Sequence, residues 1–88
     1  MARVDCIAVP GVELFFNSLD HLPPHFHALR PGEWEVRVYF LKERAQMLDL
    51  KWRQQGMTGA TRRALTKLAE EHREDLLQEF DEKVNTDD

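Results

Sequence analysis

The chain has a single cysteine, Cys6, among 88 residues, so an intramolecular disulfide and a multi-cysteine zinc site are both excluded. No apolar run approaches the roughly 18 residues that a membrane-crossing helix needs. No basic stretch followed by an apolar one opens the chain, so a secretory leader is not expected and a reducing, cytoplasmic location is. Gly-rich phosphate loops, a serine nucleophile elbow and paired catalytic carboxylates are also missing. The common enzyme machineries therefore leave no trace. Glycine and proline number four each, and none follows Ala60.

An excess of positive charge is missing too. Lys and Arg total 12 against 16 Asp and Glu, a formal net charge of −4. The imbalance is local. Residues 1–57 are neutral, whereas residues 58–88 hold five basic and nine acidic side chains and so carry the whole deficit. Proteins that bind nucleic acid usually show the opposite sign, because neutralising phosphates dominates their affinity. The expected partner is another protein, with nucleic acid and membrane disfavoured and the oligomeric state left open. At 42% hydrophobic and 32% charged residues, the composition suits one soluble domain rather than a disordered chain. That domain is expected to span 1–84, with a frayed acidic tail at 85–88.

The first half reads in period two. Val4, Cys6 and Ala8 alternate with Asp5, Ile7 and Val9, and Val12 to Asn17 alternates again after Pro10-Gly11. Two short strands about a turn follow from this. A Pro-Gly turn matches hairpin twist less well than the primed types, so a loop longer than two residues is expected. Residues 18–24 cannot continue a central strand, since proline donates no ladder hydrogen bond. His25–Arg30 forms a third strand, and Trp34–Leu41 is the clearest one. There Trp34, Val36, Val38 and Phe40 share one face, with Glu35, Arg37 and Tyr39 on the other. Lys42-Glu43-Arg44 is a polar turn, and Met47–Trp52 suits a fifth strand or a helical turn. Trp34 and Trp52 both fall in apolar registers that suit the core.

After Gln54-Gln55-Gly56 the pattern becomes helical. Thr58 or Thr61 can cap the start, and one helix over 60–82 is predicted. Leu65, Leu68, Ala69, His72, Leu76 and Phe80 form its apolar stripe, opposite a solvated acidic face. The fold class is α+β: a small, mostly antiparallel meander of four or five strands, covered on one face by a long C-terminal helix.

Three of the four histidines, His21, His25 and His27, crowd into seven positions. If residues 25–30 are extended, His25 and His27 point to one face behind a stiff Pro23-Pro24 approach. Two imidazoles so placed suit a half-site for Zn²⁺, Cu²⁺ or Ni²⁺, or a general acid and base. His72 is the candidate third ligand, provided the helix packs on the face that holds the pair. Ordinary roles compete: His72 at the edge of the stripe, and His25 and His27 satisfied by loop carbonyls. Cys6 has no charged activator nearby in sequence and reads as a small buried hydrophobe. Arg62-Arg63 sits near a helix N-terminus, where the dipole disfavours cations, which suggests retention for a partner.

The element Pro23-Pro24-His25-Phe26-His27 resembles the mark of a family of short bacterial proteins, domain of unknown function four-one-six-zero. The likeness extends from Leu14-Phe15-Phe16 through the Trp34–Phe40 strand to the helix at Glu70–Leu77. Phe26 stands where that family usually has an aliphatic residue, and Ala28 where it commonly has a β-branched one. The resemblance implies a small cytosolic prokaryotic protein of uncharacterised activity, often encoded near toxin–antitoxin-like genes, and supplies no catalytic residues. It implies that His25 and His27 belong to a shared motif. Two functions are expected from all of this. The first is a protein-interaction module, in a toxin–antitoxin-like regulatory pair, that uses the acidic helix or an uncovered sheet edge. The alternative is a small His-dependent nuclease or metal-binding protein centred on His25 and His27, with His72 supporting.

Overall fold

The computed structural model describes residues 2–17, 23–53 and 56–84. His21 and the acidic tail at 85–88 lie outside these. The chain forms an α+β fold whose elements run β1 (Ala2–Arg3), β2 (Glu13–Phe16), β3 (Phe26–Arg30), β4 (Trp34–Val38), α1 (Arg44–Met47), β5 (Leu48–Arg53), α2 (Gly59–Glu71) and α3 (Arg73–Lys83). The five strands make one antiparallel meander in sequence order, so each pairs with its chain neighbour. Residues 47–52, compatible with strand or helix in sequence, are essentially strand.

Both Pro-Gly pairs close turns of the same kind. The Val12 N–H donates to Val9 O at 3.1 Å and the Glu33 N–H to Arg30 O at 2.9 Å. Gly11 and Gly32 hold φ of 76° and 80° at the third turn position, which places both in type II turns with proline at the second. Arg30 pairs with Trp34, so the β3–β4 loop has three residues. At Pro10-Gly11 only Val9 and Val12 bridge directly.

The first strand departs from the alternation read in sequence. Regular pairing is confined to Ala2–Arg3; the Val4 N–H still donates to Leu14 O at 3.0 Å, and residues 5–8 leave the ladder. The cause lies 73 residues away: the Glu79 carboxylate accepts the backbone N–H groups of Asp5 and Cys6, each at 2.8 Å. Val4, Ile7 and Val9 still reach the core. Burial, not ladder geometry, selects them.

One face of the sheet carries Leu14, Phe16, Phe26, Ala28, Trp34, Val36 and Val38, all buried. Against it pack Leu65 and Ala69 of α2 and Leu76 and Phe80 of α3, with Phe80 edge-on to Phe16 at 6.0 Å. Full burial of each large apolar side chain contributes about 1.5–3 kcal/mol, so this layer dominates stability. Of the stripe predicted from helical spacing, Leu65, Ala69, Leu76 and Phe80 are buried, Leu68 is partly buried and His72 stands at its edge.

The predicted continuous helix is interrupted. Thr58 caps α2, its hydroxyl accepting the Thr61 N–H at 3.1 Å. At His72 the backbone leaves helical geometry (φ −114°, ψ 27°), and α3 begins at Arg73. The Arg73 guanidinium donates to the carbonyls of Phe40 and Lys42, both at 2.8 Å, and so ties this junction to the turn that follows β4. Helix-period spacing cannot register such a break, since the stripe continues across it.

Candidate functional site

The sheet face opposite the helices holds the histidine pair. Alternation places His27 with Leu29 on this side of β3, and Phe26 with Ala28 on the core side. The paired registers then build one row across all five strands: Arg3, Phe15, His27, Arg37 and Asp49. His27 lies at the centre of the row on the central strand. Its ring stacks on Phe15, centroids 5.1 Å apart and 9° from parallel. His25 meets it edge-on at 5.2 Å, and Tyr39 lies against His25 at 4.9 Å. The Lys42 ammonium sits 4.7 Å above the Tyr39 ring.

Both imidazoles turn Nδ1 towards an oxygen acceptor. His25 Nδ1 is 2.9 Å from Pro23 O, a group that only accepts, so this nitrogen carries the hydrogen. His27 Nδ1 is 3.3 Å from Glu35 Oε2, within ion-pair reach. Glu35 also binds two β5 residues: Trp52 Nε1 donates to Oε1 at 3.2 Å, and Lys51 Nζ is 3.4 Å from Oε2. One carboxylate therefore links β3, β4 and β5. Sequence reading placed Glu35 and Tyr39 on a common face. It missed their contact with the histidines, because strand register was not legible.

His25 and His27 are both buried, His27 to 2% exposure. His72 stands apart. It lies at the α2–α3 junction, in the layer on the other side of the sheet, with Nδ1 at 3.5 Å from Asp75 Oδ2. The helices cover the face opposite the pair, so the condition for three-fold convergence is not met. Among the described residues no group of three or more His, Cys, Asp or Glu side chains is arranged to hold a metal ion. A cavity of about 580 Å³ opens between residues 3–8 and β2, lined by Arg3, Asp5, Ile7, Val12, Glu13 and Phe15 among others, and by no histidine.

Cys6 is half-buried. Burial first, then the neighbouring Glu79 carboxylate, pushes its thiol up to about 12. That is the reverse of activation. Burial by itself would raise the Glu79 carboxyl. The hydrogen bonds from Cys6, the Asp5 N–H and Lys83 outweigh it and hold that group below its ordinary value. Lys83 completes the strap, donating to Arg3 O and Asp5 Oδ2 at 2.8 Å each and to Glu79 at 3.0 Å.

The fifth strand is the other exposed feature. It ends the sheet, and among the described residues no strand pairs with its outer side. A bulge at Lys51 puts Trp52 opposite Glu35 rather than on the face of Leu48 and Leu50. Trp52 is consequently 38% exposed, not in the core as its spacing suggested, while Trp34 is fully buried. Leu50 and Leu41 are each 47% exposed. Among the described residues no helix is long and apolar enough to cross a membrane.

A family model described as a domain of unknown function (DUF4160) matches residues 11–81. No curated protein matches the chain, and no solved structure does.

Proposed function

The chain belongs to the DUF4160 family of domains of unknown function, and on that premise we propose that it is a protein-interaction module that receives an extended polypeptide segment along β5. One observation carries this reading. β5 offers six residues at the end of the sheet with Leu50 and Trp52 open to solvent. Unpaired edge groups are a template for strand addition, in which main-chain hydrogen bonds give affinity and side-chain contacts give selectivity. The histidines support it indirectly, since they are packed among rings and carboxylate rather than set in an open cleft. As a small prokaryotic cytosolic protein, it acts in a toxin–antitoxin-like regulatory pair. The solvent-facing acids of the helices, Glu71, Glu74 and Asp81, favour a basic partner over nucleic acid.

The experiment is selection of random ten-residue peptides on the immobilised chain, followed by amide hydrogen exchange. Enriched peptides should alternate apolar residues with charged ones, basic opposite Asp49 and acidic opposite Lys51. They should protect amides in Leu48–Arg53, and Leu50→Lys should abolish their binding. Peptides that protect another region, or that bind Leu50→Lys unchanged, exclude this reading.

A second reading rests on the anchored imidazoles. Ligating histidines typically give their other ring N–H to a carbonyl or carboxylate, as His25 does to Pro23, and the Glu35 carboxylate lies 3.3 Å from His27 Nδ1. A divalent transition metal held by His25 and His27, with His72 excluded, is the form this reading takes.

A further inference from the structure

Resting on the strand-addition reading, we propose that the segment received by β5 is β5 of a second copy of this chain, paired antiparallel about a two-fold axis at Leu50. The edge strand is self-complementary. β5 reads Leu48-Asp49-Leu50-Lys51-Trp52-Arg53. A two-fold axis at Leu50 sets Leu50 against its own copy and each Asp49 against the Lys51 of the other chain, so this ion pair forms twice. Parallel, in-register pairing would instead set Asp49 against Asp49 and Lys51 against Lys51, which is unfavourable. Isologous contacts of this kind close on themselves and leave no β5 edge open for further growth.

The charges on β5 have a competing explanation, since an edge lysine and a bulge are also how sheets resist pairing. Two observations weigh against it here. Lys51 is already neutralised within its own chain, 3.4 Å from Glu35, and Asp49 lies 3.1 Å from Arg37. Both keep roughly half of their side-chain surface exposed, at 42% and 54%, and so can share a charge across the interface. An edge built to repel would leave its charges uncompensated and would not flank them with Leu50 at 47% exposure and Trp52 at 38%. Pairing covers the apolar side chains and joins two five-stranded sheets into one. The acidic helical layer stays outward on both copies.

Sedimentation of the full chain, with concentration-dependent hydrogen exchange, tests this. Wild type should dimerise, with Leu48–Arg53 amides gaining protection as concentration rises. Asp49→Lys should weaken the dimer about tenfold, because two cross-strand attractions become repulsions. The exchanged pair Asp49→Lys with Lys51→Asp should restore it. Leu50→Lys should give a monomer with an unchanged far-ultraviolet spectrum, and this variant decides the matter if the exchanged pair fails to fold. A wild-type chain that remains monomeric at about 0.5 mM, or a dimer that survives Leu50→Lys, overturns the proposal. If that monomer still captures selected peptides on β5, the second copy is wrong and strand addition stands. If it captures none, both fall.

Discussion

The two oxygens of Glu79 accept the backbone N–H groups of Asp5 and Cys6, one each at 2.8 Å, and so bind the N-terminal segment to the last helix. Hydrogen bonds to a charged acceptor contribute more than neutral ones, and this carboxylate is only 15% exposed. The exposed pairs Arg37–Asp49 and Arg44–Glu70 contribute little by comparison.

Glu79→Gln should therefore cost about 1–3 kcal/mol in urea melts at neutral pH. The folded carboxyl titrates below its ordinary 4.5. In acid the unfolded chain then binds more protons than the native one, so this contribution is complete above 4.5 and is lost as pH falls below it. Wild type and Glu79→Gln should converge in stability towards the acid limit. A constant gap down to acid pH would show that the carboxylate charge is irrelevant.

The Cys6 thiol should be inert. With its value raised from 9.0 to about 12, the thiolate is scarce at ordinary pH. Alkylation by iodoacetamide at mildly alkaline pH should run at least ~50-fold slower in the native chain than in urea. Because the native state holds this proton more tightly, its stabilisation is full below 9 and is lost as pH rises towards 12. Equal alkylation rates in native and unfolded protein would contradict the packing of this residue.

Leu76 is wholly buried between helix and sheet, whereas Glu71 faces solvent. Leu76→Ala should cost about 2–5 kcal/mol, against less than about 0.5 for Glu71→Ala. Equal shifts in urea midpoint would refute the packing of the helical layer.

Zinc titration by calorimetry tests the second functional reading. If His25 and His27 ligate, His25→Ala abolishes binding and His72→Ala leaves it unchanged, because His72 lies in the other layer. Binding should weaken in acid, since only neutral imidazole ligates. No heat with wild type removes the metal reading. Loss on His72→Ala would mean that the layers are arranged differently.

The parts of this fold legible in sequence are those that a period encodes. Trp34, Val36, Val38 and Phe40 alternate inward as the spacing of two requires, and Leu65, Ala69, Leu76 and Phe80 follow the helical stripe. The common face of His25 and His27 came from the same rule. So did the Pro-Gly turns, where proline sets one φ and glycine accepts the positive one.

What the period could not carry was decided by partners far along the chain. Glu79 draws residues 5 and 6 out of the first strand, and a single bulge moves Trp52 from the expected face to the solvent beside Glu35. The alternation on β3 and β4 names two faces but does not say which one the helices cover. That choice alone separates His72 from His25 and His27, and register alone brings Glu35 and Phe15 to His27. Local spacing is fixed by backbone geometry, one residue at a time. Register and layering depend on which apolar surface finds which, and that is settled only when the whole chain buries its core together.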